Sequence, residues 1–231
     1  MLAVLAPVLG RPHRVAPLLD AFAAATPRPW RLVFVADPGD DTELAAIAAA
    51  GADVVLCQGS YARKINHAVG EVDATLFFLA ADDIFPMPGW LGACRRRLAA
   101  GAEVVGVNDL IARRPGREEH ATHFLMTKRY AQLPTIDGGR GPLCEAYGHN
   151  FVDDELIATA SHRGVYAYAA DARVRHDHPM AGGEDDETYR IGRSLFRRDR
   201  RTYLRRKHLW TSPSSAARSA AKSGRPAPGA R

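Results

Sequence analysis

The sequence predicts an α/β fold with a mixed, mostly parallel β-sheet flanked by helices. Three observations support this fold class. The chain has 231 residues, enough to bury a proper core, and one domain is the default at this length. Hydrophobic residues make up 46% and charged residues 25%, which is ordinary for a globular protein. Apolar runs and helical segments also alternate through the first two-thirds, the pattern of parallel strands joined by helical crossovers.

Short apolar runs rich in branched and aromatic residues predict the strands, in chain order. We expect them at Leu2–Pro7, 31–36, Asp53–Leu56, 74–79 and 103–107. The segments between them predict helices, because their apolar residues recur at helical spacing. These helices are 14–25, the alanine-rich 41–50, 61–69, and 91–100, which follows a Pro-Gly turn. This order is that of a nucleotide-binding architecture in the broad sense.

The basic residues are concentrated at the C-terminus, and we place a domain at 1–196 and a basic tail at 197–231. The tail holds eleven Lys or Arg and one acid, which leaves 20 basic and 25 acidic residues, a net charge of −5, before it. A short basic helix over 197–210 is expected to be anchored by Tyr203, Leu204, Leu209 and Trp210. From 211 onward the composition predicts disorder. The free arginines suit an anionic partner, an anionic membrane surface, or solvent alone.

The sequence disfavours membrane and secreted classes. No apolar run reaches the roughly 18 residues needed to cross a bilayer. The N-terminus lacks the basic start and long apolar stretch of a signal peptide. Cys57, Cys94 and Cys144 lack metal-ligand spacing and cannot all pair, which fits reduced thiols. We therefore expect a cytoplasmic protein without a transmembrane segment.

The glycines do not form a phosphate-binding loop. Residues 8–12, after the first predicted strand, read VLGRP, and no Walker-type Gly-Lys-Ser occurs. A dinucleotide dehydrogenase and a P-loop kinase are therefore disfavoured. A bound nucleotide would need a metal held by carboxylates to neutralise its phosphates, because hard divalent cations prefer oxygen ligands.

The most informative stretch is FFLAADD at 77–83, an apolar run that ends in two adjacent carboxylates. A buried parallel strand of this kind delivers acids to the crevice in which open α/β sheets bind ligands. Taken alone, the pair is more simply an acidic surface turn, so the segments around it decide between a turn and a ligand site.

Four segments together resemble the GT-A glycosyltransferases, close to the inverting enzymes of family two. They are APVLGRP at 6–12, VAD at 35–37, GSYARKIN at 59–66 and LAADD at 79–83. The resemblance extends from Leu2 to about Pro179. It implies contacts to a nucleoside diphosphate sugar donor from Pro7, Asp37, Lys64 and Asn66.

The LAADD segment falls where the family carries its Asp-x-Asp motif. Ala80 stands in the place of the first acid, and Asp82 in that of the second, which is the usual metal ligand of the family. The resemblance therefore implies that Asp82 contacts the donor through Mn²⁺ or Mg²⁺. One carboxylate together with phosphate oxygens and water is a common way to bind these ions.

A second acidic segment, FVDDEL at 151–156, is followed by a glycine at 164. Three consecutive acids alone suit a helix N-terminus. Inverting family members resemble this segment, however, and the match places Asp153 on their catalytic base. In that role one carboxylate takes the proton of the attacking sugar hydroxyl.

The remaining candidates are weaker. The segment from Tyr166 resembles a family strand that ends in a metal-binding His, which implies His176, with His178 next. Both His side chains are not expected at one ion, since they would alternate across a regular strand. Asp109 is a candidate for the donor sugar, although an Asx turn explains it equally well. Residues 120–124 either line an acceptor pocket or are ordinary polar residues of the surface, and the loop 137–142 is a lid or a connection.

We therefore expect a metal-dependent inverting glycosyltransferase. It would move a sugar from a nucleoside diphosphate sugar to an acceptor hydroxyl on a glycan, a protein or a modified nucleic acid. A nucleotidyltransferase of sugar phosphates is the rival enzyme, although the Gly-rich basic loop of that class is missing after the first strand. A sugar-nucleotide or nucleic-acid binding module with weak catalysis is the rival outside catalysis, motivated by Ala80 and the basic tail.

Overall fold

A computed structural model describes residues 1–113 and 115–211 of the chain. The strands, in chain order, are β1 Leu2–Pro7, β2 Trp30–Ala36, β3 Asp53–Leu56, β4 Leu76–Leu79, β5 Ile84–Pro86, β6 Val104–Asn108, β7 Phe124–Thr127 and β8 Tyr166–His176. The helices are α1 Val15–Ala25, α2 Asp41–Ala49, α3 Tyr61–Glu71, α4 Trp90–Ala99, α5 Lys128–Ala131, α6 Val152–His162, α7 Glu187–Arg206 and α8 His208–Thr211. Every strand and helix expected in residues 1–107 is present, with ends shifted by a few residues.

The eight strands form one sheet in the order β3-β2-β1-β4-β7-β6-β8-β5. Four strand pairings are parallel and three are antiparallel. The sheet is therefore mixed, as expected, but parallel pairings do not dominate it, and that part of the expectation is wrong. The reason is β7, which lies between β4 and β6 and runs antiparallel to both. Only the half that contains β1 to β4 follows the predicted parallel plan.

Apolar side chains cover both faces of the sheet. On one face Trp90 of α4 packs against Phe78 of β4, with ring centroids 4.6 Å apart, and against Phe22 of α1 at 6.0 Å. The indole N–H of Trp90 donates to Thr26 Oγ1 at 3.1 Å, so this large side chain is buried without losing its hydrogen bond. Fully buried residues of the other face include Ile65, Phe77, Tyr130 and Tyr147.

Side-chain caps determine where several helices begin. Ser60 caps α3 by accepting the backbone N–H of Arg63, and Asp40 caps α2 by accepting that of Glu43. Asp186 caps α7 in the same way, through the N–H of Tyr189. Such a cap satisfies one of the free backbone donors in the first helical turn. The α3 cap follows β3 closely and thereby brings the first turns of α3 to the carboxyl edge of the sheet.

Helix α7 crosses position 197, at which we placed the start of the tail. Its N-terminal half and its basic C-terminal half are one continuous helix of 20 residues. Residues from 212 onward, for which we expect disorder, lie outside the described part of the chain. No helix in the described part is both long and apolar enough to cross a membrane.

The strands β1, β2 and β4 are mutually parallel neighbours, so their carboxyl ends lie at one edge. Residues after these strands are therefore collected there: Val8 after β1, Asp37 after β2, and Asp82 and Asp83 after β4. In α/β sheets this edge is the usual place for ligands. Of the predicted site residues, Asp37 and Asp82 follow these strands.

Candidate active site

The two acids after β4 are buried against an arginine. Asp82 and Asp83 are 5% and 4% exposed, so they are not a surface turn. Nη1 of Arg11 donates to Oδ1 of Asp82 at 2.7 Å and to Oδ2 of Asp83 at 3.2 Å. Arg11 is itself only 5% exposed. A buried carboxylate pair requires such a cation, because unpaired charges are costly away from water.

The two acids titrate differently although they are adjacent. Burial raises the pKa of Asp82 to about 6, the charge of Asp83 adds to this rise, and Arg11 opposes it. Burial also acts to raise the pKa of Asp83, but its interaction with His176 and a hydrogen bond from Tyr189 hold that pKa well below the usual range. Asp83 is therefore the firmly ionised member of the pair.

Arg11 also joins the acid pair to the start of α7. Its Nε and Nη2 donate to the two carboxylate oxygens of Asp186 at 2.7 and 2.8 Å. Its guanidinium lies 5.0 Å from the ring centroid of Tyr189, whose hydroxyl donates to Oδ2 of Asp83 at 2.5 Å. These contacts hold the start of α7 against the two acids, although the two segments are far apart in sequence.

Three histidines lie beside Asp83. His176 ends β8, and its ring centroid is 5.1 Å from those of both His123 and His178. His178 reaches His176 because β8 has already ended, so the expected alternation across the strand does not apply. Burial opposes protonation of His176, but Asp109 and Asp83 raise its pKa to about 9. Burial and the charge of His176 lower the pKa of His123 to about 4.

This cluster fits a divalent cation once His176 has lost its second proton, because a histidine binds metals in its neutral form. Oδ1 of Asp83 is a buried oxygen without a hydrogen-bond partner in the described part of the chain, whereas the unpartnered Nδ1 of His176 faces Asp109 at 3.7 Å. Asp83 Oδ1 lies 3.4 Å from His176 Nε2. Two atoms at this distance can both bind one ion, each about 2.1 Å from it. Asp82, the predicted ligand, is adjacent, but its Oδ1 is bonded to Arg11. The unpartnered carboxylate oxygen therefore belongs to Asp83.

Two predicted donor contacts, Asp37 and Lys64, lie together at the ends of β1 and β2. Nζ of Lys64 is 2.7 Å from Oδ1 of Asp37 and donates to the carbonyl of Val8 at 2.8 Å. Lys64 is 3% exposed, whereas a quarter of the Asp37 side chain is exposed. The lysine therefore holds Asp37 beside Pro7 with one face of the carboxylate open.

Asn66, a further predicted donor contact, is bonded to the loop before α6. Its Nδ2 lies within hydrogen-bond distance of the carbonyls of Arg140 and Leu143 and of Oε1 of Glu145, and its Oδ1 accepts from the N–H of Leu143. The side chain is 3% exposed. In this structure Asn66 positions the loop, and its contact to a donor stays a prediction.

Asp153 lies in the first turn of α6 and contacts His120. His120 Nε2 is 3.1 Å from Oδ2 of Asp153, and His120 Nδ1 is 2.9 Å from Nη2 of Arg117. Because a guanidinium only donates, Nδ1 is the acceptor and the proton is on Nε2, which donates to Asp153. Burial acts to raise the pKa of Asp153, but His120 holds it below its usual value.

Arg117 supplies the positive charge of this second cluster. It forms a 2.7 Å ion pair with Asp154, the neighbour of Asp153. Burial and the charge of Asp153 raise the pKa of Asp154. Ligand atoms of His120, Asp153 and Asp154 lie within 4.8 Å of one another, and the single guanidinium is paired with Asp154, which leaves the charge of Asp153 in place. The cluster therefore presents Asp153 as an oriented carboxylate.

Tyr61 connects the two acidic clusters. Its hydroxyl donates to the carbonyl of Ala80 at 3.1 Å. Its pKa is far above the usual value, because the side chain is buried and because Asp153 and Asp83 both place negative charge near it. The motif after β4 and the motif at α6, about seventy residues apart in sequence, therefore surround one side chain.

Asp109 lies on the other side of His176. It accepts from Arg113 at 2.5 Å and from Thr122 at 2.9 Å, and it accepts the N–H of Ile111 as in an Asx turn. Burial opposes ionisation, but His176 and Arg113 keep its pKa well below the usual range. Asp109 and His120 also line a cavity of about 440 Å³. The predicted turn and a place in a cavity wall are both observed.

Several residues of the site were missed at the level of sequence. Arg11 was visible in the turn after β1, but no local signal showed that it pairs with acids 71 and 175 residues away. Tyr189 and Asp186 lie in a segment without a motif. His123 was considered only for an acceptor pocket or surface, yet it is 4% exposed and packs on His176.

No protein-family model matches the sequence, and no curated protein matches it. Solved structures do match. Glucosyl-3-phosphoglycerate synthase from Mycobacterium tuberculosis, in complex with Mn²⁺, UDP and glucosyl-3-phosphoglycerate, has a TM-score of 0.63 at 15% identity, over 93% of this chain and 81% of that chain. A mannosyltransferase from Pyrobaculum calidifontis, in complex with GDP-mannose and Mn²⁺, has a TM-score of 0.62 at 16% identity, over 84% of this chain and 60% of that chain. At these identities the comparison shows a shared fold, and that fold agrees with the GT-A fold expected from the sequence.

Proposed function

We propose that this protein is a metal-dependent glycosyltransferase that moves a sugar from a nucleoside diphosphate sugar to an acceptor hydroxyl. The observation that carries the proposal is the arrangement of two acidic clusters around Tyr61. One contains Asp83 and His176, and the other contains Asp153. Fold neighbours solved with Mn²⁺ and UDP-glucose or GDP-mannose support the same class.

The donor is assigned to the ends of β1, β2 and β4. Pro7 and Asp37 face the nucleoside, with Lys64 holding Asp37. Asp82, Asp83 and His176 would hold Mn²⁺ or Mg²⁺, ions for which carboxylate ligands are suited. When bound, the metal would supply positive charge to the leaving diphosphate. Asp109 is assigned to the transferred sugar through the cavity that it lines.

Asp153 is the proposed general base of an inverting reaction. The acceptor hydroxyl attacks the anomeric carbon opposite the diphosphate, its proton passes to a carboxylate oxygen of Asp153, and the bond to the diphosphate breaks. The hydrogen bond from His120 orients this carboxylate and keeps it ionised before the proton arrives. Arg117 keeps His120 in the required tautomer, because it donates to the opposite ring nitrogen.

The decisive variant is Asp153→Asn. Turnover should fall by at least about a hundredfold, which is what general base catalysis commonly contributes. Binding of the donor should persist. Asp41→Asn is a matched control, because Asp41 is an exposed acid in the first turn of α2. Turnover retained by Asp153→Asn would transfer the role to Asp154, since Glu155 is already bonded to Tyr147 and Arg206.

The donor is identified by a thermal-shift screen of UDP, GDP, CMP and dTDP sugars with and without Mn²⁺. A ligand that binds the folded state raises its melting temperature. No shift with any of them would refute the proposal. A shift with nucleoside triphosphates alone would favour the nucleotidyltransferase. Donor binding without turnover would favour the binding module. The anomeric proton coupling of the product, measured by NMR, tests inversion.

A further inference from the structure

A cavity of about 690 Å³ lies between α3, the loop 135–146 and α7. Its wall contains Arg63 and His67 from α3, Arg140 from the loop, and Arg206 from α7. The residues that line it do not include Asp37, Lys64 or the Asp82 to His176 cluster. Of the predicted donor contacts only Asn66 lines the cavity, and its side chain is bonded to the loop wall. The volume is in the range of small-molecule sites.

The loop wall of this cavity is preorganised. Asn66 is hydrogen-bonded to Arg140, Leu143 and Glu145, which fixes the loop against α3. Gly141 has a φ of +75°, and a Cβ at this position would lie 2.5 Å from the Asn66 side chain. Only glycine therefore allows the loop to approach α3 this closely. A site with a fixed wall loses less entropy on binding.

The charges of the wall leave two arginines without partners. Arg206 is bonded to both oxygens of Glu155 and to Asp137. Neither Arg63 nor Arg140 forms an ion pair with a carboxylate within residues 1–113 and 115–211. Of the wall acids, Asp137 is paired with Arg206 and Glu145 accepts from Asn66. The amide of Asn66 is neutral and leaves the charge of Glu145 in place, so the lining residues carry three arginines against two carboxylates, a net charge of +1.

We propose that this cavity binds the phosphate group of a phosphorylated acceptor, which deepens the proposed transferase function and rests on it. Guanidinium groups bind phosphate through paired, charge-assisted hydrogen bonds. Two wall residues lie on elements that also carry neighbours of the proposed base. Arg63 follows Tyr61, which lies beside Asp153, by two residues, and Arg206 is bonded to Glu155 on the helix of Asp153. A phosphate held here leaves the rest of a small acceptor free to extend towards Asp153.

The first test is titration of the full chain with inorganic phosphate, without any donor. The variants are Arg63→Gln, Arg140→Gln and the double variant, with Arg95→Gln on α4 as an exposed arginine outside the cavity. Each single variant should weaken phosphate binding about tenfold, the usual loss for a hydrogen bond to a charged group. The double variant should not saturate, and Arg95→Gln should match the wild type. Absence of binding to the wild type, or equal binding to the double variant, would overturn the site.

The second test separates an acceptor phosphate from the donor diphosphate. The same phosphate titration is repeated with UDP and Mn²⁺ bound, and UDP affinity is measured for the double variant. Phosphate should still bind, and the affinity for UDP should not change. Competition between phosphate and UDP would assign the cavity to the donor and overturn the acceptor assignment. Because neither readout needs turnover, a failed cavity and a failed transferase give different results.

Discussion

His123 and His176 are adjacent histidines whose protonation is driven in opposite directions. His176 faces Asp83 and Asp109, and its pKa rises to about 9. The stability that it contributes is complete below pH 6.5 and is lost as the pH rises through 9. His123 is buried beside that charge, and its pKa falls to about 4. Its contribution is complete above pH 6.5 and is lost as the pH falls towards 4.

Replacement of His123 should therefore change the acid stability of the protein. Between pH 6.5 and 4 the unfolded chain binds a proton on His123 that the folded chain does not, so wild-type stability falls with decreasing pH. The His123→Leu variant lacks this term. Urea unfolding at pH 7 and pH 5 should show a loss about 2 kcal/mol larger for the wild type. His13→Leu is the control, since His13 is outside the cluster. Equal losses in wild type and His123→Leu would contradict the pKa of about 4.

Residues that lie in a recognisable sequence motif could be predicted as candidates, whereas residues that reach the site from distant parts of the sequence could not. Asp82, Asp153 and His176 each lie in a recognisable segment; the structure places His176 beside Asp83 and Asp153 in the first turn of α6, and their roles stay predictions. Arg11 pairs with acids after β4 and before α7, and nothing in its own segment encodes those partners. The sequence predicts Asp82 as the metal ligand, whereas the unpartnered carboxylate oxygen belongs to Asp83. The turn after β4 determines which of the two neighbouring acids keeps a free oxygen, and the sequence does not show this.

At the scale of elements, α7 fixes the start of α6. The carboxylate of Asp199 is fully buried and accepts three backbone N–H groups, those of Gly148, His149 and Asn150. Phe151, with a φ of +67°, stacks on Tyr203 of α7. These contacts determine where α6 begins and hence where Asp153 lies. A helix that crosses the predicted domain boundary therefore positions the proposed base.

Asp199→Asn should weaken both the fold and the proposed activity. An amide cannot accept three N–H bonds as a carboxylate does, and its own donors would face those N–H groups. We expect a loss of about 2–3 kcal/mol in the free energy of unfolding. Turnover should fall while donor binding is kept, because the change acts on α6. Asp185→Asn removes an exposed ion pair with Arg193 and should change neither the free energy of unfolding nor the turnover. Unchanged unfolding of Asp199→Asn would disprove this role for the carboxylate.

The strands β5 and β7 show why the sheet was only half predicted. β7 has four residues and β5 has three, so neither carries a long apolar alternation. Their positions depend on pairing with β4, β6 and β8, which are distant in sequence. The parallel half was predictable because β1, β2 and β3 are each followed within a short interval by a helical segment, two of them amphipathic and one rich in alanine.

At the scale of the whole molecule, positive charge is gathered on α7. Arg197 and Arg201 are exposed, lie four residues apart, and share one face of the helix. The chain before position 197 carries net negative charge, so this face is the natural contact for a polyanion. Its contact with an anionic partner stays a prediction.

Polyanion binding by the full chain should depend on this face and on salt. The Arg197→Gln and Arg201→Gln double variant should lower the slope of log affinity for duplex DNA against log salt by about 2, since each phosphate contact contributes about 0.9. The control replaces Arg95 and Arg173, which are exposed elsewhere. Equal slopes for the two double variants, measured by fluorescence anisotropy, would locate the binding elsewhere.

Arg11 makes ligand affinity and fold stability compete. It joins the first loop, the acids after β4 and the start of α7, so a cation that binds the Asp82 oxygen held by Arg11 must break that bond. The apparent affinity for Mn²⁺ then contains the free energy of opening. Arg11→Gln should bind Mn²⁺ more tightly in calorimetry and lose about 3 kcal/mol of folding stability, the usual cost of breaking a buried ion pair. Weaker Mn²⁺ binding would instead make Arg11 part of the ligand site. The bonds of Arg11 that stabilise the unliganded protein are therefore the same bonds that oppose cation binding.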